Sequence, residues 1–143
     1  MKKLNLCILL TLFSYIISNT HDPAFVERFQ VRHITPGDQA TFPQKGMHVK
    51  LHFTATCLKT FKEIESTWKK NEPKIFELGL DERKRIIPEC LEIVLKEMSK
   101  GERIEFVCPK ELLREYVRMY PHEDVSYDLE LLNFKDLGYK TDA

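Results

Sequence analysis

The side chains that could ligate a metal or act as nucleophiles are scattered along the chain. His48 and His52 stand four apart in a stretch of alternating apolar and polar residues. Along a strand that separation is about 13 Å, too long to share one ion, so both are expected to be surface or structural residues. Cys57, Cys90 and Cys108 form an odd set without short spacing once Cys7 leaves with the N-terminal stretch. Neither a disulfide framework nor a zinc pattern fits them. Glu65 is a lone acid that could simply be solvated, and Trp68 stands in a polar stretch, where it reads as a half-buried loop residue. What remains is apolar chemistry: Phe53, Phe76, Leu91 and Tyr127 either fill a core or line a pocket.

The elements that must position these residues are legible from periodicity. From Met47 to Thr56, Met47, Val49, Leu51 and Phe53 alternate with His48, Lys50, His52 and Thr54, which predicts a strand with one buried face. Gly101 to Cys108 and Val125 to Phe134 read the same way, through Ile104, Phe106 and Cys108, then Val125, Tyr127, Leu129 and Leu131. Phe25 to Ile34 reads as an edge-like strand before the turn Thr35-Pro36-Gly37-Asp38. Pro88 to Met98 predicts a helix, with Leu91, Val94, Leu95 and Met98 at helical spacing, proline at its start and Gly101 just past its end. A second helical stretch is predicted over Pro109 to Met119. The sum is an α+β fold, one helix covering one face of an antiparallel sheet.

Composition narrows the setting. A chain of 143 residues is the size of one domain. Lys plus Arg and Asp plus Glu are both 22, so no field of one sign favours nucleic acid or an anionic membrane. Lys2 and Lys3 precede the apolar run Leu4 to Ile17, which ends in Ser18, Asn19 and Thr20. That layout predicts a cleaved signal peptide over residues 1–20, since a bilayer-spanning helix needs about 20 apolar residues. Removing two basic residues from 22 leaves 20 against 22 acidic ones. The expected product is a slightly acidic domain over residues 21–143, in the endoplasmic reticulum lumen or secreted, with no membrane attachment after cleavage.

The order of turns and strands resembles one family. Thr35 to Gly46, TPGDQATFPQKG, is similar to the stretch that opens FKBP-type prolyl isomerases, and MHVKLHFT (Met47 to Thr54) to the strand that follows it. PKIFELG (Pro73 to Gly79), MSKGE (Met98 to Glu102) and YDLELL (Tyr127 to Leu132) resemble the next strand, the helix-end turn and the last strand. The resemblance runs from about Phe29 to Phe134. It implies a five-stranded antiparallel sheet wrapped around one short helix, with the site between them. It also implies that the strands of Cys57 and Cys108 have another between them, beyond comfortable disulfide reach.

Isomerising an X-Pro bond means twisting an amide against a barrier of about 18–20 kcal/mol, and each ~1.4 kcal/mol removed gives a factor of ten. A site that holds proline in an apolar pocket and binds the twisted amide best accelerates this without nucleophile, cofactor or metal. The resemblance places that pocket at Phe53, Ile64, Glu65, Ile87, Pro88, Leu91, Leu113 and Tyr127. Phe53 replaces a tyrosine, Glu65 an aspartate, Ile64 and Tyr127 phenylalanines, and Leu91 the tryptophan that floors the pocket. The backbone donor before the helix falls on Pro88, which has no N–H. A register one residue away would make Ile87 the donor and Cys90 the floor. The loop from Leu112-Leu113-Arg114 to Arg118-Met119-Tyr120-Pro121 lacks the family's glycines. The implied function is a prolyl isomerase of weakened activity acting on proline-containing clients in the secretory pathway. The alternatives are a non-catalytic binding module of the same fold, or an interaction protein using its outer sheet face and Trp68.

Overall fold

A computed structural model describes residues 21–81, 83–116 and 122–138, the last three before the second gap, 114–116, by their backbone alone. The signal-peptide reading of residues 1–20 and the end of the loop after Pro109 lie outside the described residues.

The chain enters through a short helix, α1, at Pro23–Phe29, where the sequence predicted a strand from Phe25. Asp22 Oδ1 accepts from the Ala24 N–H at 3.1 Å and Pro23 supplies a preset φ, which together start a helix. Phe25 and Phe29, four apart, both bury against the core. Gln30, at φ 49°, then stops the helix in the left-handed region. Only Arg32–Thr35 is extended, as β1.

The sheet is antiparallel. β2 is His48–Cys57, β3 Glu63–Ser66, β4 Lys74–Glu77, β5 Arg103–Cys108 and β6 Val125–Lys135. The order is β1-β5-β6-β2-β3, with β4 also paired to β2. β4 pairs with His48 to Leu51 and β3 with Thr54 to Thr56. Six segments therefore fill five positions, because β3 and β4 share one side of β2. Between them the four-residue helix α2, Thr67–Lys70, carries Trp68, half-buried as expected but helical rather than in a loop.

Period two decides the inner face. Val49, Leu51, Phe53 and Ala55 of β2, Ile104 and Phe106 of β5, and Val125, Tyr127, Leu129 and Leu131 of β6 are all buried. Across them lies α3, Glu89–Glu97, burying Cys90, Leu91, Val94 and Leu95. Pro88 is its N-cap, and Glu89 and Glu92 in the first turn suit the positive end of the helix dipole. The helical stretch predicted from Pro109 forms as a 3-10 helix at Lys110–Tyr116, and Leu113 from it enters the core.

The turn before β2 meets the turn after α3. Asp38 N–H donates to Lys100 O at 2.9 Å and Lys100 N–H to Thr41 O at 3.1 Å. A Cβ on Gly37 would clash with Ser99 Oγ and lie 2.7 Å from Lys100 O, so only glycine permits this approach. Two of the sequence motifs are thus two halves of one contact.

The cysteines correct the sequence reading in one respect. Cys90 and Cys108 form a disulfide, with Cα atoms 5.9 Å apart and the two residues 18 positions apart in sequence. It links the first turn of α3 to the end of β5, a proximity set by helix-on-sheet packing. Cys57 is free and buried. Val125 of β6 pairs with Cys57 on one side and Cys108 on the other, so a strand does separate those two.

Candidate functional site

The site reading centres on Phe53, which sits where β2 has no ladder partner on one side: pairing to β4 ends at Leu51 and pairing to β3 begins at Thr54. The Thr67 hydroxyl fills that gap. It accepts from the Phe53 N–H at 2.8 Å and lies 3.2 Å from the Phe53 carbonyl and 2.9 Å from His52 Nδ1. A buried backbone donor without partner would cost about 1–3 kcal/mol, so Thr67 fixes the Phe53 backbone at the break.

The Phe53 and Tyr127 rings are 6.0 Å apart at 53°, and Tyr127 stacks on Phe106 at 5.3 Å and 11°. Phe106 in turn meets Phe29 edge-on at 6.4 Å. Phe53, Ile87, Leu91, Leu113 and Tyr127 belong to one continuous core, with Ile64 packed against it. None of those five is more than 3% exposed. The structure thus gathers the predicted apolar pocket residues, but as a filled core. Pro88 is buried as well, and its carbonyl accepts from Leu91 N–H at 3.0 Å to open α3. Cys90 is committed to its disulfide.

Glu65, on β3, is ion-paired to Lys74 of β4, and the same Lys74 Nζ lies 5.7 Å over the Phe53 ring. Sequence reasoning passed over Lys74. Its signal was the alternation in β4, which puts Lys74 on the same face as Phe76 while Ile75 is exposed. Behind the site, buried Glu92 accepts from Gly79 N–H at 2.8 Å and pairs with Arg85 at 3.3 Å, securing the strand end and the segment before α3 to the helix.

The outer sheet face is polar and built differently. Trp68 is sandwiched between the His52 ring, stacked at 5.5 Å, and the Arg103 guanidinium, 4.6 Å from its centroid. Both Asp128 oxygens accept from Arg103, at 2.9 and 2.7 Å, and this pairing raises the Arg103 pKa above its ordinary value. His48 lies 3.8 Å from Glu77. The two histidines thus serve separate local arrangements. An open cleft of about 370 Å³ also lies here, lined by Thr54, Thr56, Cys57, Ser126 and Asp128 and rimmed by the exposed Phe61.

Fold and site together define a sheet-over-helix domain whose core holds a linked aromatic cluster. The model of the FKBP-type peptidyl-prolyl cis-trans isomerase family matches residues 39–132. FK506-binding protein 1 of Rhizopus delemar is 35% identical over 78 residues, 54% of this chain and 68% of that one. Peptidyl-prolyl cis-trans isomerase Fkbp12 of Drosophila melanogaster is 30% identical over 107 residues, 72% and 94% of the two chains. The same fold is seen in the N-terminal domain of FKBP42 from Arabidopsis thaliana, at TM-score 0.60 and 24% identity over 73% of this chain and 84% of that one. The chain belongs to the FKBP-type peptidyl-prolyl cis-trans isomerase family.

Proposed function

We propose that this domain binds proline-containing segments of protein clients in the secretory pathway and isomerises them slowly, with its family pocket largely closed. One observation carries the reading: Phe53, Ile87, Leu91, Leu113 and Tyr127 are together and at most 3% exposed. A proline ring gains from such a wall only by contact with it, and a filled core offers little surface. Three further features point the same way. Leu91 gives an aliphatic floor in place of a flat one, Pro88 has no N–H to donate to a substrate carbonyl, and Lys74 with Glu65 lies across Phe53.

The compartment is supported by the leader-like composition of residues 1–20 and by the Cys90–Cys108 disulfide, a bond that persists in oxidising surroundings. The same burial favours a second reading, a binding module without turnover.

A protease-coupled cis/trans assay on a Leu-Pro peptide separates the two, run beside an NMR titration with that peptide. The expected result is a small, concentration-dependent acceleration, with shifts at Phe53 and Tyr127. Shifts without acceleration would leave the binding module, and a rate equal to a strong isomerase would overturn the closed-pocket reading. Secretion is tested by N-terminal sequencing of protein collected from a secreting host, where a chain still beginning at Met1 would count against a cleaved leader.

A further inference from the structure

The geometry points to a divalent transition-metal site formed by His21, His33 and Glu102, suited to Zn²⁺. The three residues arrive from separate segments: His21 just before α1, His33 on β1, and Glu102 in the turn between α3 and β5. One potential ligand atom from each lies within 4.8 Å of the others. His21 Nε2 is 2.5 Å from Glu102 Oε1, and His33 Nδ1 is 3.8 Å from the same oxygen. Ligands on a tetrahedral zinc ion, with bonds of about 2.0–2.1 Å, stand roughly 3.3 Å apart. Each of these gaps therefore needs an adjustment of roughly 1.5 Å or less to hold the ion.

The surroundings suit a ligand set. Glu102 Oε2 accepts from the Ser99 N–H at 2.8 Å and lies 3.3 Å from Ser99 Oγ, which fixes the carboxylate and leaves Oε1 facing the imidazoles. Glu102 and His21 are buried, while the His33 side chain is 30% exposed. The two imidazoles stack at 5.2 Å and 6°. One ring must turn for both nitrogens to aim at one ion, and His33 has the room.

A simple ion pair would use one histidine and one carboxylate. Here a second imidazole, stacked on the first, also lies within reach of the same carboxylate oxygen, so two nitrogens and one oxygen converge where an ion pair needs only one of each. Two nitrogens and one oxygen suit zinc, whereas Ca²⁺ and Mg²⁺ take all-oxygen sets. The fourth position opens on the His33 side, where water can complete the tetrahedron. Such an ion fastens the entry to α1, the outer strand β1 and the helix-end turn, at the opposite end of α3 from Leu91. Nothing in it depends on turnover.

The test is Zn²⁺ binding by metal-free protein expressed from the full chain, in competition with a chromophoric chelator and with excess Mg²⁺ present. One ion per chain is expected, with the imidazole carbon signals of His21 and His33 shifting together in NMR spectra. His33→Ala, on a partly exposed residue, should weaken binding by at least the ~10–100-fold typical of losing an outer-shell partner. Cys57→Ser should leave it unchanged, and Ser99→Ala should weaken it less than His33→Ala. Absence of stoichiometric binding, displacement by Mg²⁺, indifference to His33→Ala, or loss of binding in Cys57→Ser would each overturn the assignment.

Discussion

The Lys74 ammonium lies 5.7 Å above the centre of the Phe53 ring while its charge is paired with Glu65. A strand residue nine positions from its acid thus lies over the aromatic side chain that the proposed function makes the wall of the proline site. Removing the side chain should expose Phe53. We expect Lys74→Ala to raise kcat/KM on a Leu-Pro peptide severalfold while lowering stability by about 0.5–1 kcal/mol, since both the ammonium and its acid are partly solvated. Unchanged turnover with the stability loss would show that Lys74 is not what limits access.

The Cys90–Cys108 bond closes a loop of 18 residues. Loops of this length constrain the unfolded chain by about 3 kcal/mol in the chain-entropy picture. Urea unfolding of Cys90→Ala/Cys108→Ala, or of the wild type under a thiol reductant, should show a lower midpoint by that order. Identical midpoints with and without reductant would mean that the bond does not hold the fold in solution.

Thr67→Val keeps shape but removes the hydroxyl that serves Phe53 at the ladder break. The buried N–H then lacks an acceptor, at a cost of about 1–3 kcal/mol. Thr67→Ser should restore most of the loss, and amide exchange at Phe53 should quicken in the valine variant alone. Equal exchange in both would assign the effect to packing.

Asp38 closes the turn before β2, accepting from the Thr41 hydroxyl, from Thr41 N–H at 3.0 Å and from Ala40 N–H at 3.1 Å. These bonds hold its carboxyl below the usual carboxylate value, the Thr41 hydroxyl contributing most. A pKa depressed on folding adds stability that is present above the unfolded pKa and is lost as pH falls through the folded one. Thr41→Val should move the Asp38 titration upward in an NMR pH series and start the acid loss at higher pH. A titration at the same pH in both proteins would remove the hydroxyl from the account.

What could be read in advance follows from which interactions are local. β2, β6 and α3 declare themselves through period two, period 3.6 and the punctuation of Pro88 and Gly101. Their inner faces, from Val49 to Leu131, are the core that forms. α1 was missed although Asp22-Pro23 and the Phe25–Phe29 spacing are helix signals, because the apolar residues from Phe25 to Ile34 suit a strand equally well in composition. The disulfide was hidden because it depends on which helical turn faces which strand. Phe53, Ile87, Leu91, Leu113 and Tyr127 fall in one buried core, and their burial was not legible because it depends on packing between separate segments of the chain. The His21, His33 and Glu102 cluster spans 81 residues of sequence and carries no spacing motif.

The sheet's margins have a consequence for association between chains. One margin is β1, four exposed residues whose register slips between His33 and Thr35. The other is divided into β3 and β4, four residues each, with α2 interrupting them. Among the described residues, neither side offers a long, flat row of unpaired backbone groups on which a second chain could extend, and both carry charged side chains. Copies of this domain, or other chains with unpaired strands, thereby find no ready edge on which to build a continuous sheet.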